Sequence, residues 1–289
     1  MELKISNLSK VYPGGLKALS NVNLEISNGM FGLLGPNGAG KSSLMRTIST
    51  LQEPSECTIF LDDLDVINNK EEMRKVLGYL PQDFGFYPKV SADDMLHHFA
   101  ILKGISNKAE RKEVCDALLH QTNLYEVRNR YIGDYSGGMR QRFGIAQALL
   151  GNPKVVIVDE PTAGLDPQER NRFHNLLSEV GENIIVILST HIVEDVSNLC
   201  EKMAVMNLGQ VMFNGKTTEA LDLLKGKIYK IVIAKEELAE YRAQHNVIST
   251  RVAEGKIVVH VMSDSLPNSK FTAIEGDLED VYFSYINAK

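Results

Sequence analysis

Gly35-Pro36-Asn37-Gly38-Ala39-Gly40-Lys41-Ser42 is a glycine-rich run ending in a lysine and a hydroxyl, directly after the apolar segment FGLL at 31–34. It meets the pattern GxxxxGK[ST] at every fixed position. Glycines let backbone N–H groups turn inward around phosphate oxygens, and a helix starting at the end of the run adds its positive N-terminus. Lys41 can reach β- and γ-phosphates, and Ser42 can offer its hydroxyl to Mg²⁺. A second group with related chemistry is VVIVDEP at 155–161. There a buried strand ends in Asp159, whose carboxylate can hold magnesium through water. Glu160, next along, can act as general base on an attacking water. Alone, two acids after a strand read as helix-capping residues. Beside the glycine loop they read as a site for phosphoryl chemistry.

Both groups need a sheet to bring them together. VVIV at 155–158 and IIVIL at 184–188 are short β-branched runs without alternation, as expected of strands buried on both faces of a parallel sheet. Long helical patterns separate them, the signature of an α/β core. Residues 2–8 (ELKISNL) and 22–26 (VNLEI) alternate apolar and polar about a Pro13-Gly14-Gly15 turn, which predicts an antiparallel opening. CTIFL at 57–61 is a further strand. Residues of about 84–150 are mostly helical in pattern and read as a subdomain inserted into the core. A hairpin over 203–215, turning at Gly209, closes the core. From 216 to 289 the pattern becomes a small α+β unit, opening on a helix capped by Thr217 or Thr218 and ending in the helix DLEDVYFSYI.

With the order of segments in place, the chain resembles the ATP-binding-cassette (ABC) ATPases over about residues 2–215. YSGGMRQR at 135–142 resembles the family's signature motif, Gln82 in YLPQD its Q-loop glutamine, AGLDP its D-loop with Asp166 at the acidic position, and His191 in LSTHIVEDV its switch histidine. Tyr12 in KVYPGG stands where the family places the aromatic residue that stacks on adenine. The resemblance implies a P-loop NTPase fold: a mixed core sheet, an antiparallel β subdomain, a helical subdomain, and here a small C-terminal α+β domain. It implies ATP and Mg²⁺ as ligands. The implied catalytic residues are Glu160, His191 and Gln82. Nucleotide contacts would come from Tyr12, from residues 35–43, from Ser136, Gly137 and Gly138, and from Asp166; Ser42, Gln82 and Asp159 would take the metal. The chain departs from the family at Tyr135 and Met139 of the signature, usually leucine and glutamine, and at Glu56 and Asp63, usually glycines.

Composition narrows the setting. The 289 residues are 44% hydrophobic and 24% charged, ordinary globular proportions, and 31 basic against 37 acidic residues leave a formal charge of -6. That balance weighs against a nucleic-acid partner. Apolar stretches are too short to span a bilayer, and MELKISNLSK carries no basic patch followed by an apolar block, so neither membrane span nor secretory signal is expected. Cys57, Cys115 and Cys200 are scattered and read as inert thiols. His97-His98 point apart on a helix and suggest no metal. Arg140 and Arg142 read as a solvated helix face.

The resemblance further implies an ATPase subunit on the cytosolic face of a membrane. It would pair head to tail with a second cassette, a homodimer in the simplest case, and drive a separate polytopic permease. The tail resembles that of single-cassette subunits of ABC-2 type exporters, and the relay to the membrane is expected near Gln82, Phe84, Phe86 and Tyr87. A soluble ABC ATPase working on nucleic acid or ribosomes, and a nucleotide-gated regulatory module, stay open on these residues alone.

Overall fold

A computed structural model describes residues 1–82 and 85–287. Phe84 lies outside the described residues. The chain opens on β1 (Glu2–Val11) and β2 (Lys17–Ser27), an antiparallel pair whose alternation buries Leu3, Ile5, Leu8, Leu24 and Ile26 on one side. β3 (Gly29–Leu34) leads through the glycine loop into α1 (Lys41–Ile48); β4 (Glu56–Leu61) and β5 (Leu64–Asp65) then complete a four-stranded antiparallel sheet in the order β2-β1-β4-β5. After α2 (Lys70–Val76) and β6 (Leu77–Leu80) come α3 (Ala92–Leu102), α4 (Lys108–Gln121) and α5 (Gly137–Ala148). β7 (Val155–Asp159), α6 (Pro167–Gly181), β8 (Ile185–Thr190), α7 (Val193–Leu199), β9 (Lys202–Asn207) and β10 (Gln210–Lys216) follow.

The second sheet carries the chemistry. Its six strands run β10-β9-β3-β8-β7-β6, all parallel except β10. β7 and β8 are buried throughout, as their unalternating Val and Ile runs require. One face packs on the antiparallel sheet and α1, the other on α6, α7 and the C-terminal part. The β9–β10 turn is made by Leu208 (φ 47°) and Gly209 (φ 78°), the left-handed pair a two-residue hairpin prefers.

The helical insertion has its own core. Ser91 caps α3 by accepting from the Asp94 N–H, and Asn107 caps α4 by accepting from Ala109 and Glu110. Tyr135, the departure from the signature's leucine, is buried there and donates its hydroxyl to Val127 O at 3.1 Å. Phe86, in the segment expected to relay to the membrane, packs edge-on against Phe143 with ring centroids 4.8 Å apart. Tyr87 is 72% exposed. Arg142 corrects the reading of a solvated basic face: it is buried and pairs with Glu169 of α6 at 3.4 Å, while Arg140 stays exposed.

Beyond β10 lie α8 (Thr217–Asp222), β11 (Ile228–Ile233), α9 (Leu238–Gln244), β12 (Val247–Ala253), β13 (Lys256–Met262), β14 (Thr272–Ile274) and α10 (Leu278–Ile286). The strands form an antiparallel sheet in the order β12-β13-β11-β14. Helix α8 starts at Thr217 rather than being capped by it: the Glu219 carboxylate accepts from the Lys216 N–H at 2.9 Å, and Thr217 donates to Glu201 O. This tail does not stand alone. Leu278, Val281 and Tyr282 of α10 share one apolar cluster with Val196, Cys200 and Met203 of the cassette.

Candidate active site

Strand register assembles the site. Leu34 of β3 lies opposite Thr190 of β8, Asp159 of β7 opposite Ser189, and Leu80 of β6 opposite Val158. The glycine loop, Asp159-Glu160, His191 and Gln82 therefore leave four neighbouring parallel strands at one edge of the sheet, where α/β folds place their ligands. A cleft of about 470 Å³ there is lined by Tyr12, residues 36–43, Gln82, Asp159 and Glu160, with His191 joined to it through Glu160.

Gly40 shows why the loop needs glycine. Its φ is 102°, and a Cβ there would stand 2.6 Å from Ala18 O. Lys41, at the first turn of α1, is buried; its Nζ donates to Gly35 O at 2.5 Å and faces Glu160 Oε1 at 3.6 Å. Burial pushes the Lys41 ammonium below the usual lysine range, although the Glu160 and Asp159 charges oppose that shift. The other oxygen of Glu160 lies 2.7 Å from His191 Nδ1. Glu160 is itself held in the left-handed region at φ 49°, with its N–H donating to Ser189 O at 2.8 Å. A non-glycine residue in that region carries backbone strain, which collects at functional sites.

The metal-binding expectation meets a donor set of the right kind. Asp159 is buried, and its Oδ1 has no hydrogen-bond partner among the described residues. Ser42 and Gln82 line the same cleft. Carboxylate, hydroxyl and amide oxygens suit Mg²⁺, which takes a few protein ligands and draws the rest from phosphate and water. Among the described residues no group of three or more His, Cys, Asp or Glu could hold a metal by itself. The residues fit a metal that arrives with phosphate. The cysteines are far from such chemistry: burial pushes the Cys57 and Cys115 thiols up to about 11, and Cys200 higher still.

Tyr12 stands at the rim of the cleft, half-buried. Its hydroxyl donates to Gln52 Oε1 at 2.9 Å and lies 3.1 Å from Ser43 Oγ. Gln52 Nε2 in turn donates to Ser43 O and Thr47 Oγ1 of α1, at 2.8 and 2.9 Å. The glutamine clamps the ring to the helix that follows the glycine loop. Sequence reading missed Gln52, because nothing in its neighbours marks it. It also missed the β9–β10 turn as a wall of the cleft: Leu208 and Gly209 line it, and the Gly209 N–H donates to Ala39 O at 3.0 Å.

Two groups stand apart. Ser136, Gly137 and Gly138 are absent from the cleft's lining; Ser136 accepts from the Met139 N–H and caps α5, with Ser136 and Gly137 exposed. Asp166, expected as a nucleotide contact, caps α6 by accepting from the Glu169 N–H at 2.9 Å and does not line the cleft.

Residues 19–163 match the family model described as ABC transporter. The chain is 30% identical to the uncharacterized ABC transporter ATP-binding protein YxlF of Bacillus subtilis, over 99% of this chain and 100% of the relative. It is 31% identical to the probable multidrug ABC transporter ATP-binding protein YbhF of Escherichia coli, over 89% of this chain but 45% of that longer protein. The methionine import ATP-binding protein MetN of Carboxydothermus hydrogenoformans is 34% identical over 74% of this chain and 66% of its own length. Among solved structures, the dimeric post-hydrolysis state of the ATP-binding cassette MJ0796, bound to ADP and Pi, matches with a TM-score of 0.66. That match is 28% identical and covers 74% of this chain and 98% of the other.

Proposed function

The chain belongs to the ABC transporter family, and on that premise we propose that it hydrolyses ATP for an exporter, from the cytosolic face of the membrane and through a separate polytopic subunit. The cassette is an ATPase. The observation that carries the site reading is the placement of Glu160 between Lys41 and His191, at 3.6 and 2.7 Å, in a cleft walled by the glycine loop.

In this reading Tyr12 offers a ring face to adenine at the rim. The backbone of residues 36–43 turns its N–H groups to the phosphates, and Lys41 leaves Glu160 to balance their charge. Glu160, no longer facing an ammonium, takes the proton of the water that attacks the γ-phosphorus while ADP leaves. His191 Nδ1 keeps the carboxylate aimed by holding its second oxygen. Bound Mg²⁺, held by Ser42, Asp159 and Gln82, would neutralise charge on the phosphate oxygens.

The exposed Ser136 and Gly137 at the N-terminus of α5 support a head-to-tail pair of cassettes, because this helix end does not line its own chain's cleft, and Gly137 opens with Gln82 on a neighbouring cavity that a partner's γ-phosphate would enter. Dimeric MJ0796 gives the pairing a precedent. For the membrane partner, support comes from a cleft of about 360 Å³ where Leu51, Leu77, Tyr79, Phe99 and Leu102 lie beside Arg74, Lys103 and Gln147, with Leu51 and Leu102 62% and 70% exposed. No helix among the described residues is long and apolar enough to cross a membrane. The outward direction rests on the tail's likeness to ABC-2 type exporters; residues 216–289 are its accessory domain in this reading.

The test is Mg²⁺-dependent ATP hydrolysis by the full chain, with Lys41→Ala as control, together with isolation of the native complex. Turnover abolished by the variant and a polytopic membrane protein in the complex are expected. Equal turnover in both proteins would refute the site, and a complex built on nucleic acid would refute the transport reading.

A further inference from the structure

Behind the Glu160–His191 pair lies a carboxylate that the reaction does not use. Asp195, in the first turn of α7, is 0% exposed. Its Oδ2 accepts from Thr162 Oγ1 at 2.6 Å and from Thr190 Oγ1 at 3.4 Å. Its Oδ1 meets Arg170 Nε at 2.8 Å and His174 Nε2 at 2.9 Å, both from α6. Burial alone would raise this carboxyl. Hydrogen bonds from His174, Thr162 and Arg170, with the Arg170 charge, outweigh it and hold the group below the usual carboxylate range.

The partners are placed where the chemistry needs fixed distances. Thr162 is two residues past Glu160, inside the tight turn in which Leu165 N–H donates to Thr162 O. Thr190 is the residue before His191, and its Oγ1 also accepts from the Ile192 N–H at 3.0 Å. Arg170 and His174 sit one turn apart on α6, the helix that Asp166 caps and that pairs through Glu169 with Arg142 of α5. One carboxylate thus fastens the loop bearing Glu160, the loop bearing His191, and the helix tied to the signature segment. A buried ion pair contributes little net stability over an apolar replacement, whereas reacting groups lose rate steeply when displaced by an ångström.

We propose that Asp195 is a positioning residue for hydrolysis, setting the separation of Glu160 and His191 through Thr162 and Thr190 and linking that pair to α6. The proposal rests on the reading of Glu160 and His191 as the hydrolytic pair. It touches neither the glycine loop nor the adenine rim, so ATP affinity is left out of its reach.

The test compares Thr162→Val, which keeps shape and loses the hydroxyl, with Thr162→Ser, which keeps the hydroxyl, and with Asp195→Asn, all in the full chain. Thr162→Val and Asp195→Asn should lower kcat by roughly 10-fold to 10²-fold with the ATP dissociation constant held within about twofold, and Thr162→Ser should stay near wild type. The ¹⁵N shifts of the His191 ring, recorded without nucleotide, should move in Thr162→Val and Asp195→Asn but not in Thr162→Ser. Unchanged kcat with a lowered melting temperature would make Asp195 a stability element and overturn the proposal. So would parallel losses of binding and turnover. A wild-type chain that fails to bind ATP would instead refute the underlying site reading, and the ring shifts, which need no nucleotide, would still decide the positioning.

Discussion

Lys41 Nζ and Glu160 Oε1 face each other at 3.6 Å, both groups almost wholly buried. The lysine proposed to meet phosphate is thus matched by the carboxylate proposed as base. In that reading phosphate oxygens, which carry more negative charge than one carboxylate and accept from the loop's N–H groups as well, would draw Lys41 away and free Glu160.

Lys41→Ala should therefore weaken ATP binding and abolish turnover. It removes the ammonium and leaves phosphate charge without compensation at the loop. ATP titration calorimetry and a phosphate-release assay check both parts. Affinity and rate equal to wild type would remove the loop from the mechanism.

Tyr12→Ala should raise the ATP dissociation constant and leave the phosphate end intact. Loss of an aromatic stack on a base costs about 1–3 kcal/mol where it has been measured. Gln52→Leu tests the clamp: the ring stays, but its hydroxyl loses the partner at 2.9 Å that ties it to α1. A smaller rise in dissociation constant is expected for Gln52→Leu than for Tyr12→Ala, with kcat at saturating ATP unchanged in both. If neither variant weakens binding while both stay folded, adenine is held elsewhere.

The strands around the site were legible because each has a local signature. VVIVD and IVILST are β-branched runs buried on both faces, and the glycine loop begins where FGLL ends. Order and resemblance drew attention to His191, which lies 2.7 Å from Glu160, and to Ser136 and Asp166, which cap α5 and α6 outside the cleft. What stayed hidden was long-range. Asp195 joins residues up to 33 positions away, and Gln52 reaches back 40 positions to Tyr12. Arg142 read as a solvated charge because its partner Glu169 comes from another helix. The packing of the tail on the cassette stayed hidden for a related reason: an amphipathic helix such as α10 announces an apolar face but not what covers it.

That contact bears on what removing residues 216–289 should do. In the structure, truncation would uncover Val196, Cys200 and Met203, now packed against α10. Each large apolar side chain returned to water costs roughly 1.5–3 kcal/mol, so a lower melting temperature and aggregation are expected. α10 also lies within electrostatic reach of the site: burial first, then the Glu160 charge, raises the Tyr282 hydroxyl. A truncated chain as stable and soluble as the full one would show the packing to be dispensable.

Acid should expose the contribution of Asp195. Its carboxyl is held below the usual range in the folded chain, so it adds stability above its unfolded value of about 4, and that stability is lost as pH falls through the folded value. Melting temperatures below about pH 4 should fall less steeply in Asp195→Asn than in wild type, because an amide cannot titrate. Identical slopes would mean that the carboxyl is not held low in the fold.

Glu160→Gln separates chemistry from assembly. The amide keeps the side chain's size and can still accept a hydrogen bond from water, but it cannot take the proton. Hydrolysis should fall by roughly 10²–10⁴, the usual worth of a positioned base. Binding should survive, since Lys41 and the loop are untouched and Lys41 no longer faces a competing carboxylate. ATP held without turnover should then gather two chains in the proposed pairing, because the exposed Ser136 and Gly137 at the start of α5 do not line their own cleft and would meet a partner's γ-phosphate there. Light scattering should show monomer giving way to dimer on adding ATP to Glu160→Gln. Adding Ser136→Arg puts a bulky side chain at that helix end and removes its cap, and the dimer should fail to form while ATP still binds each chain. Dimers that persist with Ser136→Arg would show that the chains meet through another surface, and rapid hydrolysis by Glu160→Gln would remove Glu160 as the base.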